Sequence, residues 1–298
     1  MGVYSGVRCL LRRRDAPGRG PPYARGMERA LQHGPDHEAY MVVIREQSER
    51  FLESLVGVPL DAPVPTCEGW TAADLLWHLG EVQHFWAQVA AGAAGDDVVT
   101  PPRPTDDVAL RRFVATAGTE LLAALAARPA DAPAWSWHPE GGTLAWLARR
   151  QAHEALVHRV DAEATAGLDV RPPAVDVAAD GVDEVLGVFV DGVPPWGTFT
   201  PDGVAAVLRT TNVPGTWRLE LGRFAGTHPV SAEPVGLDAA AVARVADDDP
   251  RPAELLVAGR AWDLDRWLWG RGPADALDVD GDPAVLARLR QLLADATQ

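Results

Sequence analysis

From residue 36 onward, apolar residues recur at helical spacing, and proline- and glycine-rich breaks cut the pattern into four long segments. That restricts the front half of the chain to a helical bundle. The first segment covers residues 37–56 and is closed by Gly57 and Pro59. The second opens at Thr71, where Thr71-Ala-Ala-Asp74 reads as a capping box, and runs to Ala91 before Gly92. The third covers 105–128 and stops at Pro129. The fourth covers 143–167, with Gly167 supplying a left-handed stop.

After Pro194-Pro195 the texture changes. Residues 204–209, 216–221, 240–245 and 254–258 are short, apolar or β-branched runs bounded by turn residues, and 262–269 and 283–296 return to helical spacing. A shorter helical patch at 180–190 is expected to pack beside the bundle. The predicted class is α+β: an N-terminal four-helix bundle over 36–198 and a small α+β domain over 199–298. Residues 1–35 are expected to be a disordered extension.

Charge narrows the function. The 298 residues carry a formal net charge of -15. A chain of that sign repels nucleic acid and anionic membrane unless its cations are gathered in one patch. The only gathering is at the front, where residues 1–26 hold six Arg against one Asp. A targeting or nucleic-acid arm and an unstructured extension both fit that stretch. No apolar run is long enough for a spanning helix. Two cysteines, Cys9 and Cys67, cannot staple a chain of this size, which favours a reducing cytoplasm. The expected partners are therefore small molecules, with no nucleic acid and no membrane, and the expected state is a monomer.

The histidines mark the candidate site, because imidazole and carboxylate are the usual ligands of catalytic zinc. On the second helix, at about 100° per residue, His78 sits at the edge of the apolar arc while His84 faces the other way. A lone inward histidine is more often a satisfied core residue than a ligand. The fourth helix adds weight with His153-Glu-Ala-Leu-Val-His158. His153 and His158 are five apart, about 140° around the helix, so the H-E-x-x-H zinc grip does not form. Glu154 and His158 are four apart and share a face with Gln151 and Asp161. On spacing alone, a simple intrahelical Glu154–His158 pair and a metal site are both open.

The run V64-P-T-C-E-G-W-T-A-A-D-L-L-W-H-L-G-E-V, followed by A152-H-E-A-L-V-H-R-V-D-A-E163, resembles the mycothiol-dependent maleylpyruvate isomerases among the DinB-like metalloenzymes. The stretches P252-A-E-L-L-V-A-G and W267-L-W-G-R are similar to that family's sterol-carrier-like C-terminal domain. The resemblance implies a divalent metal, usually zinc, held by His78, Glu154 and His158. It also implies mycothiol, a sugar thiol, as the cofactor. Such a ligand set leaves one tetrahedral position open, and a thiol bound there ionises. Addition of the thiolate to an electrophilic cis-enedione, rotation and elimination give the trans isomer; in a transferase the thiol stays attached. The isomerase reading is the one favoured here.

Gln151 and Asp161 are the candidates to support the ligands from behind. Asp161 can either orient His158 or pair with Arg159. Trp70, Trp77, Trp86 and Trp146 lie near the two metal helices, either walling a dry pocket or serving as ordinary core. Cys67 precedes the second helix and is either a small loop residue or a partner for a mixed disulfide. His33, His37, His138 and His228 carry no assignment. The rival to the enzyme is a binding protein with a structural metal, its C-terminal domain holding an apolar ligand or a partner.

Overall fold

Each of the four long helices starts on an oxygen-bearing cap. In the structure, a computed structural model, α1 (His37–Ser54) begins at Asp36, whose carboxylate accepts from Ala39 N at 2.8 Å. Helix α2 (Ala72–Ala91) begins with the full capping box: Thr71 N donates to Asp74 Oδ2 at 2.9 Å and Asp74 N to Thr71 Oγ1 at 3.3 Å. Helices α3 (Asp107–Ala126) and α4 (Leu144–Thr165) are capped by Asp106 and Thr143. Gly92 (φ 114°) and Gly167 (φ 66°) take the left-handed conformation that ends α2 and follows α4. The structure describes residues 34–138, 141–191, 194, 196–229 and 231–297, so the expected extension over 1–35 lies, but for its last two residues, outside the described residues.

The chain divides into two compact units, and the first is the bundle, Pro35–Arg171. Helix α2 packs on α3, and α1 on α4. Phe51, Leu55, Leu75, Leu76, Leu79, Leu110 and Val114 form its apolar core. At the α2–α3 crossing, a Cβ on Gly80 would meet the Phe113 ring at 2.8 Å, so glycine lets that ring rest on the α2 backbone.

The two helices that carry the candidate site are tethered alike. Pro63 bridges to Thr71, and Ala72 N and Ala73 N donate to Ala62 O (2.8 Å) and Leu60 O (2.9 Å). Pro133 bridges to Thr143, and Leu144 N and Ala145 N donate to Ala132 O (3.1 Å) and Ala130 O (2.7 Å). In both helices, backbone N–H groups that no helical carbonyl can reach are satisfied by the preceding loop.

The second unit begins at Pro172, not at 199 as the change in sequence texture suggested. The reason is α5 (Val175–Glu184) and its continuation as a wider π turn, Val185–Val190. This helix starts earlier than the expected 180–190 patch. It packs on α6 (Ala261–Leu268). Trp217 Nε1 donates to Asp183 Oδ1 at 2.8 Å, and Val242 N to Asp191 Oδ1 at 3.1 Å, tying α5 and its continuation to the sheet.

The sheet has the order β3-β2-β1-β4-β5. Strands β1 (Gly197–Thr210), β2 (Thr216–Thr227) and β3 (Pro234–Val245) form an antiparallel meander with a register shift between Pro201 and Ala205. Strand β4 (Leu255–Gly259) runs parallel to β1, and β5 (Asp278–Gly281) runs antiparallel to β4. Helix α7 (Pro283–Thr297) ends the chain's regular structure. No helix among the described residues is long and apolar enough to cross a membrane.

Candidate metal centre

His78 of α2 and Glu154 and His158 of α4 bring one ligand atom each to within 4.8 Å of one another. Glu154 Oε1 lies 3.4 Å from His78 Nε2 and 3.3 Å from His158 Nε2. A charge-assisted hydrogen bond would draw these atoms to about 2.8 Å. Ligands at about 2.0–2.1 Å from a tetrahedral zinc stand about 3.3–3.4 Å apart along each edge. Two of the three donor separations equal that edge, so the donor set suits a shared metal ion.

The surroundings set the charge of each donor. Burial, together with the neighbouring His158, pushes the His78 pKa down, against the pull of Glu154, and keeps an imidazole lone pair available. Burial alone would raise the Glu154 carboxyl, but Arg150, His158 and His78 hold it well below the usual carboxylate range. His158 is opposed by burial, yet its bonds to Asp161 and Glu154 and their negative charges carry it up to about 9. Two carboxylates around one imidazole thus favour positive charge at its ring, whether from a proton or a metal ion.

Each donor is held from behind. Arg150, one turn before Glu154, binds its Oε2 and leaves Oε1 toward the imidazoles. Asp161 Oδ2 lies 2.9 Å from His158 Nδ1, which directs Nε2 at the other ligands. Arg159 bonds to Glu163 (2.5 Å) and Gln47 (3.0 Å), while Asp161 lies against His158. The Trp70 ring lies 4.9 Å from the His78 ring and 6.4 Å from the His158 ring, nearly parallel to the latter.

Gln151 is 1% exposed, and neither its Nε2 nor its Oε1 has a hydrogen-bond partner among the described residues. It shares the α4 stripe with Glu154 and His158. A buried amide with nothing to bind is a costly feature that calls for an explanation.

Other singled-out residues go elsewhere. His153 packs edge-on against Tyr40 of α1, and His84 faces Glu120 at 3.7 Å. Trp77 stacks on Phe113, and Trp86 packs with Trp135 and Trp146, so of the four tryptophans considered only Trp70 contacts the ligand rings. Cys67 Sγ lies 3.6 Å from Asp161 Oδ2. Sequence reasoning passed over two supporting groups. Arg150 was visible as an i, i+4 partner of Glu154, whereas Thr66, which donates to Asp161, left no local signal.

With this geometry in place, comparison with known proteins is informative. Residues 43–163 match the mycothiol maleylpyruvate isomerase N-terminal domain, and residues 176–288 match the C-terminal domain of the same family. The chain belongs to the mycothiol-dependent maleylpyruvate isomerase family. The family's N-terminal domain spans α2 and α4, with all three clustered donors. Its C-terminal domain begins inside α5, in keeping with a second unit that opens at Pro172. No curated protein matches the chain. Among solved structures, a mycothiol-dependent maleylpyruvate isomerase matches with a TM-score of 0.50 at 16% identity, covering 83% of this chain and 95% of its own. A histidine-to-alanine variant of that name matches with a TM-score of 0.50 at 14% identity and the same coverage. Such likeness carries the fold.

Proposed function

We propose that the chain is a thiol-dependent metalloenzyme. It holds zinc, or another divalent metal, through His78, Glu154 and His158, and it uses mycothiol to isomerise a cis-enedione acid of the maleylpyruvate type. Family membership supports the cofactor and the reaction class. The observation that carries the metal is the pair of 3.3 and 3.4 Å donor separations about Glu154 Oε1. Bound there, the metal would stabilise a thiolate in its open position, and that thiolate supplies reversible nucleophilic addition to the substrate double bond.

The protein's own residues set up this chemistry. Arg150 fixes Glu154 and restricts it to one free oxygen. Asp161 accepts from His158 Nδ1 and so keeps Nε2 as the ligand atom. Trp70 shields the two imidazoles from water on one side. Gln151, buried and without a partner, offers a bound ligand both a donor and an acceptor. The partners are then mycothiol and one small electrophile, and the reading is of a cytoplasmic enzyme acting as a single chain.

The test is elemental analysis of the purified protein followed by an assay for thiol-dependent loss of a cis-enedione. About one zinc per chain and isomerisation that needs both metal and thiol are expected. A metal-free protein whose melting temperature does not respond to zinc would overturn the reading. Accumulation of a stable thioether in place of the trans isomer would move the chain to the transferases.

A further inference from the structure

The loop between Val64 and Trp70 is folded tightly on itself, with Val64 N on Trp70 O (2.9 Å), Cys67 N on Val64 O (3.2 Å) and Trp70 N on Cys67 O (3.0 Å). It presents three side chains to the candidate centre. Trp70 lies against both histidine rings, and Cys67 Sγ approaches Asp161 Oδ2. Thr66 Oγ1 donates to Asp161 Oδ1 at 2.5 Å, across 95 residues of sequence. Asp161 is fully buried, and its other oxygen meets His158 Nδ1.

A carboxylate on a short side chain can rotate about χ2. A bond to one oxygen alone holds the carboxylate plane less firmly than a bond to each, and the imidazole turns with that plane. The Thr66 hydroxyl anchors the oxygen that His158 does not use. It thereby sets the plane of the carboxylate, and through it the direction of His158 Nε2 at the ligand point. We propose that Thr66 is a positioning residue for the metal centre, acting through Asp161 on His158. This rests on the metal reading above. Hydrogen-bonded partners behind metal ligands typically change affinity about 10–100-fold when removed.

The test compares Thr66→Val, which keeps the shape and removes the donor, with Thr66→Ser, which keeps the donor. Each full-length protein is titrated with zinc against a chromophoric chelator and with cobalt(II) followed by its visible spectrum. Thr66→Val should bind zinc about 10–100-fold more weakly and change the cobalt spectrum, while Thr66→Ser should behave like the parent. In an Asp161→Asn background, Thr66→Val should add little further loss, because its route to the metal is already cut. Parental affinity and spectrum in Thr66→Val, with His158→Ala having lost both, would overturn the positioning role and leave the metal reading standing. Additive losses in the double variant would also overturn it, because they would mean that Thr66 acts by a route other than Asp161. A parent protein that takes up neither metal removes the metal reading and this proposal with it.

Discussion

Arg150 and Glu154, one turn apart on α4, form an ion pair that occupies one carboxylate oxygen and leaves the other between two imidazoles. The arginine therefore has a structural duty that is independent of any metal. In chelator-treated protein, Arg150→Met should lower unfolding stability by about 2 kcal/mol, since it removes the buried arginine partner of Glu154 and leaves the carboxylate to His158 and His78. Urea denaturation of the two proteins measures this. Equal midpoints would show that the pair contributes nothing.

Helical phase provides an internal control for the ligand set. His158→Ala should empty the site, because two remaining ligands hold metal poorly. His153→Ala, a few residues away and packed on Tyr40, should keep the metal and cost about 1–2 kcal/mol of stability. Metal content and melting curves of the two variants decide the matter. If His153→Ala lost the metal and His158→Ala kept it, the ligand set would have to be redrawn.

The stripe of α4 that holds the ligands also holds a liability. Gln151→Leu removes two buried polar atoms that have no partner and keeps nearly the same volume. The variant should be more stable by about 1–2 kcal/mol and less active, the pattern of a residue retained for function at the cost of stability. Guanidinium denaturation together with the isomerase assay tests both halves. A destabilised Gln151→Leu would mean that the amide is satisfied in solution.

In the second unit, Asp265 of α6 is 2% exposed, and its carboxylate packs against Gly181 between Asp180 and Glu184 on α5. Burial, and then the charges of Glu184 and Asp180, push its pKa well above the ordinary carboxylate value. A folded-state pKa above the unfolded one means that this group favours folding most at low pH. Its contribution falls as pH rises past about 4, where the unfolded chain ionises first. Asp265→Asn should therefore be more stable than the parent at pH 7, and the gap should close as pH approaches 4. A gap that does not vary with pH would show that Asp265 ionises normally.

Much of this molecule is readable from local signals. The caps at Thr71 and Thr143, the stops at Gly92 and Gly167, and the shared phase of Glu154 and His158 are written within single helices. What was missed depends on distant partners. Strand β5 is four exposed residues, Asp278–Gly281, with nothing β-like about them until β4 lies alongside. The first halves of β1 and β3 are mostly exposed and carry proline and glycine, so their pairing comes from β2 rather than from propensity. The opening of the second unit at Pro172 is not legible locally, because α5 reads as a bundle helix until its contacts with α6 and the sheet are seen. Thr66 and Asp161 are linked across the fold, and no pattern in either neighbourhood announces the other.

The matching tethers at Pro63–Thr71 and Pro133–Thr143 turn each site helix into a ruler with a fixed zero. His78 stands seven residues past its cap and Glu154 eleven past the other. One residue inserted in either interval would swing the donor by about 100° and advance it by about 1.5 Å, out of reach of its companions. Exchanging the letters inside the interval does no such thing, provided that the buried apolar positions stay apolar and Arg150 and Gln151 are kept. The centre thus reads the length of these intervals far more strictly than their spelling.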